Sequence, residues 1–344
     1  MKKRTLIHDI AQHLDVSITT VSMVLNGRAK EYRISDGLAQ RVQQYVEQVG
    51  YKPNQLAQSL RTGKSYVIGL IIEDISNPFF ATVARLVERH AFQGGYRLLF
   101  CSTDNDPSKT RDLLAMFQQR HIDGYIIAPP AGLEREVRGL LKSNIPTVLF
   151  DRYLPNLSAD YIVVDGEAGV YEATCHLLGQ GLTRVAFVTT ESRQTQMAGR
   201  LLGYRRAMHA QQLPTSVKRV PLDFAGSKEQ SVAAICAFLQ RHPACEAVIF
   251  ANNSLTLHGL EAIARLGRRI PDDLAVISFD DNAFFQLYSP TITAIAQPVE
   301  ALAETLIQVL LHKLSDDGPA DAPVREIALP TTLLVRQSSV RPRP

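Results

Sequence analysis

The spacing of apolar residues at the start of the chain predicts two short helices joined by a tight turn. The first helix has one apolar face, formed by Ile7, Ile10, Ala11 and Leu14. Ser17 stands where an N-cap is expected, and the inward face of the second helix is formed by Val21, Val24 and Leu25. This pattern is typical of a helix-turn-helix unit, although an ordinary corner between two helices has the same periodicity.

The helix-turn-helix interpretation makes the outer side of the second helix a candidate DNA contact. In such a unit the N-terminal half of the second helix enters the major groove. The residues that the periodicity turns outward are Ile18, Thr19, Ser22, Met23 and Asn26. A third helix is predicted from Asp36, with Ser35 as its cap and Gly50 as its end.

Beyond this head, short apolar runs alternate with helical stretches. The runs of the first series are VIGLII, RLLFC, GYIIA, PTVLF and YIVV, and those of the second are VAFVT, AVIFA and AVISF. Such alternation predicts parallel sheets covered by helices, and hence an α/β body of two lobes. We expect a DNA-binding domain at 1–53, a linker at 54–64 and an effector-binding and dimerisation domain at 65–344. Its first lobe should span about 65–164 and 294–323, and its second about 165–292 and 324–340.

Polar and aromatic residues follow the predicted strands, where ligands bind in open α/β sheets. The segments are Ser76 to Phe80, Asp151-Arg152, Asn252-Asn253 and Asp280-Asp281. Each segment taken singly is compatible with a simple turn or helix cap. Together they bring amides, carboxylates, a guanidinium and aromatic rings to one cleft, a set that can bind vicinal hydroxyls and cover the apolar face of a sugar.

Positive charge is concentrated in the head. Residues 1–64 carry ten Lys and Arg against five Asp and Glu, a net charge of +5, whereas the remainder of the chain sums to −2. A basic head on a near-neutral body is typical of a nucleic-acid-binding module. The four cysteines lack metal-type spacing and no apolar run approaches a membrane span. We therefore expect reduced thiols, no metal or cofactor, no membrane partner and a cytoplasmic location.

The string DIAQHLDVSITTVSMVLNG resembles the head of the lactose/galactose repressor (LacI/GalR) family. The resemblance implies a three-helix DNA-binding domain and adds Ser17 and Thr20 to the expected DNA contacts. The stretch around 54–63 resembles the hinge helix of the family, which folds as a pair on DNA. It places Asn54, Ala57 and Leu60 at the minor groove, with Leu60 wedged between base pairs. The loop NGRAKEYRISD is similar to the fructose and sucrose repressor branch.

Residues 65 to about 340 resemble the type I periplasmic-binding-protein-like fold that forms the effector domain of the same family. The resemblance implies an effector site formed by Asn77, Phe79, Phe80, Asp151, Arg152, Arg200, Asn252, Asp280 and Gln297. Arg200 is the arginine of the R-x-x-G-[FY] pattern, here RLLGY, and Gln297 is the glutamine after a late strand. Because Arg152 and Arg200 also suit a phosphate, the effector is predicted to be a sugar or a sugar phosphate.

Two positions depart from the family pattern. Met23 stands where arginine is usual, so base readout should move towards thymine methyl groups and local DNA shape, unless Met23 packs inside the head. Asp15 stands in the turn where glycine is usual. We expect this turn to survive because Asp tolerates a left-handed backbone better than most residues.

The sequence therefore predicts a homodimeric regulator, most simply a sugar-responsive repressor of carbohydrate-utilisation genes that binds a pseudo-palindromic operator in double-stranded DNA. Effector binding would change DNA affinity allosterically. An alternative is a regulator that uses a phosphorylated sugar or a helper protein as corepressor. A sugar enzyme and a sugar carrier are the rival classes. The chain has no phosphate loop, GxSxG or HExxH motif, and a basic helical head stands where a carrier needs an export signal.

Overall fold

The computed structural model describes residues 5–51, 63–221, 228–315 and 323–340. The chain divides into two compact units, Met1–Ser65 and Tyr66–Pro344. The expected linker contacts Asn54, Ala57 and Leu60 lie outside the described residues.

The described residues of the first unit form three helices: α1 (Ile7–Leu14), α2 (Ile18–Leu25) and α3 (Asp36–Val49). The predicted caps are present. The Ser17 hydroxyl accepts a hydrogen bond from the Thr20 amide at 3.0 Å, and the Ser35 hydroxyl accepts one from the Leu38 amide at 3.4 Å. Asp15 closes the turn between α1 and α2 with φ 52° and ψ 50°, so the expected left-handed turn forms without a glycine.

All three helices contribute to one small core. Its buried residues are Ile10, Ala11, Val21, Val24 and Val42. Met23 is half-buried and lies outside this cluster, so the core of the head is complete without it. The helices therefore hold the outer side of α2 in a fixed orientation, which a recognition helix requires.

The described part of the second unit contains two six-stranded sheets, each covered by helices. Its strands are β1 (Val67–Ile72), β2 (Arg97–Ser102), β3 (Gly124–Ile127), β4 (Thr147–Phe150), β5 (Asp160–Val164), β6 (Val185–Thr190), β7 (Ser216–Val220), β8 (Ala247–Phe250), β9 (Ala275–Phe279), β10 (Thr293–Ala296), β11 (Glu326–Leu329) and β12 (Thr332–Leu334). Its helices are α4 (Pro78–Gln93), α5 (Pro107–Gln119), α6 (Glu134–Lys142), α7 (Gly166–Gly179), α8 (Thr195–Ala210), α9 (Lys228–Arg241), α10 (Asn253–Arg265), α11 (Ala283–Leu287) and α12 (Val299–Leu314).

The two sheets define two lobes. The first sheet has the order β11-β5-β4-β3-β1-β2 and is parallel throughout. The second has the order β12-β10-β9-β8-β6-β7, in which β12 runs antiparallel to β10 and the other pairs are parallel. The central strands are buried on both faces, as near-continuous apolar runs such as VIGLII and AVISF predict. Within the described ranges, no helix combines the length and apolarity needed to cross a membrane.

The chain passes between the lobes three times. The first crossing lies between β5 and α7, as expected near residue 165. The other two lie later than we expected. Thr293–Ala296 belongs to the second sheet, although we expected the first lobe to resume at 294. Glu326–Leu329 belongs to the first sheet, although we expected the second lobe to resume at 324. The reason is that β10 pairs with β9 and β11 pairs with β5 across the length of the chain, which local pattern cannot reveal.

Candidate functional site

The first candidate site is the outer side of α2. Ser17, Ile18, Thr19 and Asn26 are exposed, with Ile18 showing 46% of its surface, and Thr20, Ser22 and Met23 are half-buried. The Asn26 side chain donates to the Ser22 carbonyl at 2.7 Å, which ties it back to the helix. The face therefore presents two apolar side chains, Ile18 and Met23, among hydroxyl groups, without a guanidinium.

The second candidate site is a cleft of about 590 Å³ between the two lobes. Every body residue that the sequence predicted as an effector contact lines it. These residues are Asn77, Phe79, Phe80, Asp151, Arg152, Arg200, Asn252, Asp280 and Gln297. Seven of these residues follow the carboxyl ends of four strands, as expected for ligand sites in open α/β sheets. Arg200 comes from a helix and Gln297 from a segment that crosses between the lobes.

Two Phe-Asp corners face the cleft from the two lobes. Strand β4 ends at Phe150 and is followed by Asp151 with φ 64°, and β9 ends at Phe279 and is followed by Asp280 with φ 73°. The left-handed backbone turns each carboxylate out of its sheet, and Asp is one of the residues that adopt this conformation most readily. Gln297 holds Asp280 in place by donating to its Oδ1 at 2.5 Å.

Arg152 lines the cleft but directs all five of its N–H groups to the protein. The guanidinium is 2% exposed. Its acceptors are the Pro129 carbonyl (2.8 Å), Glu73 Oε2 (2.6 Å), Asp151 Oδ2 (3.3 Å), Asn105 Oδ1 (3.3 Å) and the Ala128 carbonyl (3.5 Å). Since a guanidinium has five donors, Arg152 positions the acidic and amide groups around it and keeps none for a ligand.

The three defined positions of the RLLGY motif, Arg200, Gly203 and Tyr204, each make a specific packing or hydrogen-bond contact. Arg200 lies within the cleft, buried, with its Nη1 donating to the Ala251 carbonyl at 2.7 Å and its Cζ 3.6 Å from the centre of the Phe279 ring. Gly203 lets α8 approach α7, because a Cβ there would lie 2.1 Å from the Glu167 carbonyl oxygen. The Tyr204 hydroxyl donates to the Val185 carbonyl at 2.8 Å, which fixes α8 against the second sheet.

Hydrogen bonds join the lobes across the cleft. The side-chain amides of Asn77 and Asn253 pair reciprocally, at 3.0 and 3.3 Å. Three further bonds cross between the lobes: Gln194 Nε2 to Asn105 Oδ1 (2.8 Å), Gln196 Nε2 to Asp151 Oδ2 (3.2 Å) and the Tyr153 amide to Thr195 Oγ1 (3.2 Å). All of these bonds depend on the distance between the lobes, so a ligand that changes that distance changes them.

Three polar atoms of cleft-lining residues are buried without a hydrogen-bond partner in the described part of the chain. They are Arg200 Nε, Gln196 Oε1 and Gln297 Oε1. A buried polar group without a partner costs about 1–3 kcal/mol. The cleft therefore contains one donor and two acceptors that a bound molecule can satisfy.

Burial and neighbouring charges shift the pKa values of two charged groups in the cleft. Burial raises the pKa of Asp151 to about 6, against the lowering effect of the Arg152 and Arg200 guanidiniums. Burial also lowers the pKa of Arg200, while Asp280 and Asp151 act to raise it. Within the described residues, no group of three or more His, Cys, Asp and Glu side chains could hold a metal ion.

Sequence reasoning missed part of this site. Glu73, Asn105, Gln194 and Gln196 line the cleft but were not predicted, and Asn253 was noted only as the neighbour of Asn252. Glu73 directly follows β1 and Asn105 follows β2 by a few residues, so the strand-end rule could have included both. Asp281, by contrast, pairs with Arg336 through two bonds of 2.7 and 2.8 Å instead of lining the cleft.

Two family models match the chain. Residues 6–54 match bacterial regulatory proteins of the lacI family, and residues 174–339 match a periplasmic binding protein-like domain. The chain is similar to the ribose operon repressor of Halalkalibacterium halodurans, with 33% identity over 335 residues that cover 97% of both chains.

Solved structures show the same architecture. A LacI family transcriptional regulator from Enterococcus faecium with bound ribose matches with a TM-score of 0.70 and 26% identity, over 79% of this chain and 98% of that one. The lac repressor dimer bound to operator and the anti-inducer ONPF matches with a TM-score of 0.85 over 98% of this chain and 100% of that one. At 21% identity, the second match supports the fold alone.

Proposed function

The chain belongs to the lacI family of bacterial regulatory proteins, and from that premise we propose that it is a sugar-responsive repressor that takes a neutral sugar between its lobes. Family membership makes it a DNA-binding transcriptional regulator with a periplasmic-binding-protein-like domain, and neither an enzyme nor a sugar carrier. The identity of its effector, the DNA contacts and the dimer are parts of the proposal.

The single observation that carries the effector proposal is the set of three unpartnered polar atoms in the cleft. A sugar hydroxyl both donates and accepts, so one hydroxyl can accept from Arg200 Nε while others donate to the amide oxygens of Gln196 and Gln297. Phe79 lies at the same cavity and offers an apolar surface for a sugar ring. The ribose bound to the Enterococcus faecium regulator supports the same ligand class.

A phosphate group fits the interior of the cleft less well than a neutral sugar. Arg152 has no free donor, and the two amide oxygens have no proton to receive from a phosphate dianion. The carboxylates of Glu73, Asp151 and Asp280 line the same cavity and would repel it. We therefore favour a neutral sugar over the alternative of a phosphorylated corepressor in this position.

We propose that DNA is bound by the outer side of α2 in the major groove, with Ser17, Ile18, Thr19, Thr20, Ser22, Met23 and Asn26 as contacts. The half-buried Met23 lies outside the head core, which supports its assignment to the DNA face. Two heads related by two-fold symmetry would read a pseudo-palindrome. By resemblance, Asn54, Ala57 and Leu60 would occupy the minor groove between them. The kinship of the loop after α2 with the fructose and sucrose branch remains a prediction.

The cross-lobe hydrogen bonds provide the physical link between sugar and DNA in this proposal. A sugar that binds between the lobes must favour one lobe separation over another. Three hydrogen bonds form only at the present separation: Asn77–Asn253, Asn105–Gln194 and Asp151–Gln196. Coupling of this kind typically amounts to about 1–3 kcal/mol, or about 5- to 150-fold in DNA affinity.

The experiment that tests the effector site is calorimetric titration of the full chain with a panel of neutral sugars, followed by Arg200→Lys. Lysine keeps the positive charge beside Asp151 and Asp280 but removes the Nε donor. We expect the Kd of the best sugar to rise at least about tenfold, because a hydrogen bond to a charged donor is worth about 1.5–3 kcal/mol.

The matched control is Arg184→Lys, an exposed position in the same lobe that pairs with Glu246 outside the cleft. It should leave sugar affinity unchanged, and both variants should bind DNA like the wild type in the absence of sugar. Normal sugar affinity in Arg200→Lys would show that the cleft assignment is wrong.

A further inference from the structure

A second, smaller cavity of about 380 Å³ lies on the second lobe beside the effector cleft. Three arginines line it, and they come from three different elements: Arg193 from the loop after β6, Arg205 from α8 and Arg219 from the edge strand β7. We call this cavity the arginine pocket. Its other lining residues are Thr189, Ser192, Met197, Ala198, Leu201 and Leu202, so no acidic side chain of the described ranges lines it.

Each of the three arginines is exposed, and its side chain forms no hydrogen bond or ion pair within the described residues. Five other arginines of the second lobe differ from them, because each pairs with an acidic side chain. The pairs are Arg184–Glu246, Arg206–Glu167, Arg265–Glu229, Arg269–Asp273 and Arg336–Asp281. Among the described residues, the lobe thus supplies acidic partners to five of its arginines and leaves these three, which surround one cavity, without such a partner.

Protection of a sheet edge does not explain the arrangement. Basic residues on an edge strand discourage pairing with other chains, and this accounts for Arg219 on β7. It does not account for Arg193 and Arg205, which come from a loop and a helix. Three like charges around one cavity repel one another, and an anion placed among them removes that repulsion.

We propose that the arginine pocket is a binding site for a phosphate group. Guanidinium groups bind phosphate oxygens in pairs of parallel hydrogen bonds, and three of them can engage a dianion from three sides. Thr189 and Ser192, which carry hydroxyl groups, also line the arginine pocket. This site is distinct from the proposed neutral-sugar site, and the inference stands if that assignment fails.

The position of the pocket allows two sources of phosphate. Ser192, Arg193 and Met197 line both the arginine pocket and the effector cleft. A phosphate ester can therefore place its sugar in the cleft and its phosphate in the arginine pocket. There the guanidiniums have no partner among the described residues, whereas the donors of Arg152 in the cleft are all taken. The other source is a separate phosphate-bearing metabolite that binds independently of the sugar.

The test uses the full chain and inorganic pyrophosphate as the probe, titrated at constant ionic strength so that screening does not change. We expect saturable binding to the wild type and at least about a tenfold rise in Kd in the double variant Arg205→Gln/Arg219→Gln, since about 1.4 kcal/mol is tenfold. The matched control, Arg120→Gln/Arg241→Gln, removes the same charge from exposed positions elsewhere and should bind pyrophosphate like the wild type.

A second titration distinguishes the sources. If a sugar phosphate binds and its Kd rises in Arg205→Gln/Arg219→Gln but that of the free sugar does not, the effector itself supplies the phosphate. If the sugar that binds is neutral and unaffected, while pyrophosphate binding still depends on the two arginines, the site takes a separate metabolite. Both results support the pocket. Absence of pyrophosphate binding, or equal binding to wild type and double variant, would overturn it.

Discussion

The substitution Asp151→Asn should stabilise the protein increasingly as the pH rises. Asp151 is 8% exposed at the end of β4, with φ 64°, and it accepts hydrogen bonds from Arg152 and Gln196 through Oδ2. Asparagine adopts this backbone as readily as aspartate and keeps an acceptor oxygen. The substitution therefore removes the buried charge while the local geometry is retained.

The magnitude follows from the pKa of Asp151, which burial raises from 3.8 to about 6. An acid whose pKa is raised in the folded state binds its proton more tightly there than in the unfolded chain. Its contribution to stability is therefore largest below about pH 4, falls as the pH rises to about 6 and is constant above that. Two pKa units correspond to about 3 kcal/mol, or about 6 °C in Tm for a domain of this size.

The assay is differential scanning calorimetry of wild type and Asp151→Asn across this pH range. Neutral asparagine mimics the protonated acid, so its Tm advantage should grow from about pH 4 to about pH 6 and then remain level. Asp112→Asn, an exposed acid on α5, is the matched control for the loss of one carboxylate. A Tm difference for Asp151→Asn that is independent of pH, or that favours the wild type as pH rises, would show that burial does not raise the pKa of Asp151.

Two further substitutions test separate parts of the account. Gly203→Ala should lower the free energy of unfolding by about 1–3 kcal/mol, because its Cβ would clash with the Glu167 carbonyl oxygen. The control is Gly199→Ala on the same helix, where a Cβ meets no neighbouring atom and should raise the free energy of unfolding by up to about 1 kcal/mol. Equal effects of the two substitutions in thermal unfolding would contradict the close contact between α8 and α7. Leu60→Ala should weaken specific DNA binding at least about tenfold and leave sugar affinity unchanged, and Gln58→Ala is the control. Unchanged DNA affinity in Leu60→Ala would contradict the proposed insertion of Leu60 between base pairs.

The pattern of neighbouring residues was sufficient to predict helix caps and turns, where a single side chain determines the local structure. Ser17 and Ser35 cap their helices as predicted, and Asp15 closes the turn without glycine. The strand-end rule, together with the family resemblance, led to nine residues that line one cleft. The caps, the turn and the strand ends share a cause, because short apolar strands, caps and left-handed corners are encoded by neighbouring residues. Arg200 and Gln297, by contrast, came from the family resemblance.

The rest depends on contacts between distant segments. The donors of Arg152 are taken by Glu73 and Asn105, which follow other strands, and by carbonyls after β3, so its role as a positioning group could not be read from its own neighbours. The edge strands β7, β11 and β12 escaped prediction because SVKRV, EIAL and TLL are short or partly polar. The lobe crossings after residue 292 were misplaced for the same reason, since strand pairing over long separation decides them.

Regulation of DNA binding by a sugar can be measured by fluorescence anisotropy of the full chain with a DNA fragment from upstream of its own gene. It should be made at several salt concentrations, with a panel of free and phosphorylated sugars. We expect a specific complex whose affinity falls steeply with salt and changes about 5- to 150-fold with one neutral sugar. A specific complex that no sugar alters would contradict the effector assignment. Failure to bind this fragment, and any site selected from random DNA, would contradict the regulator itself.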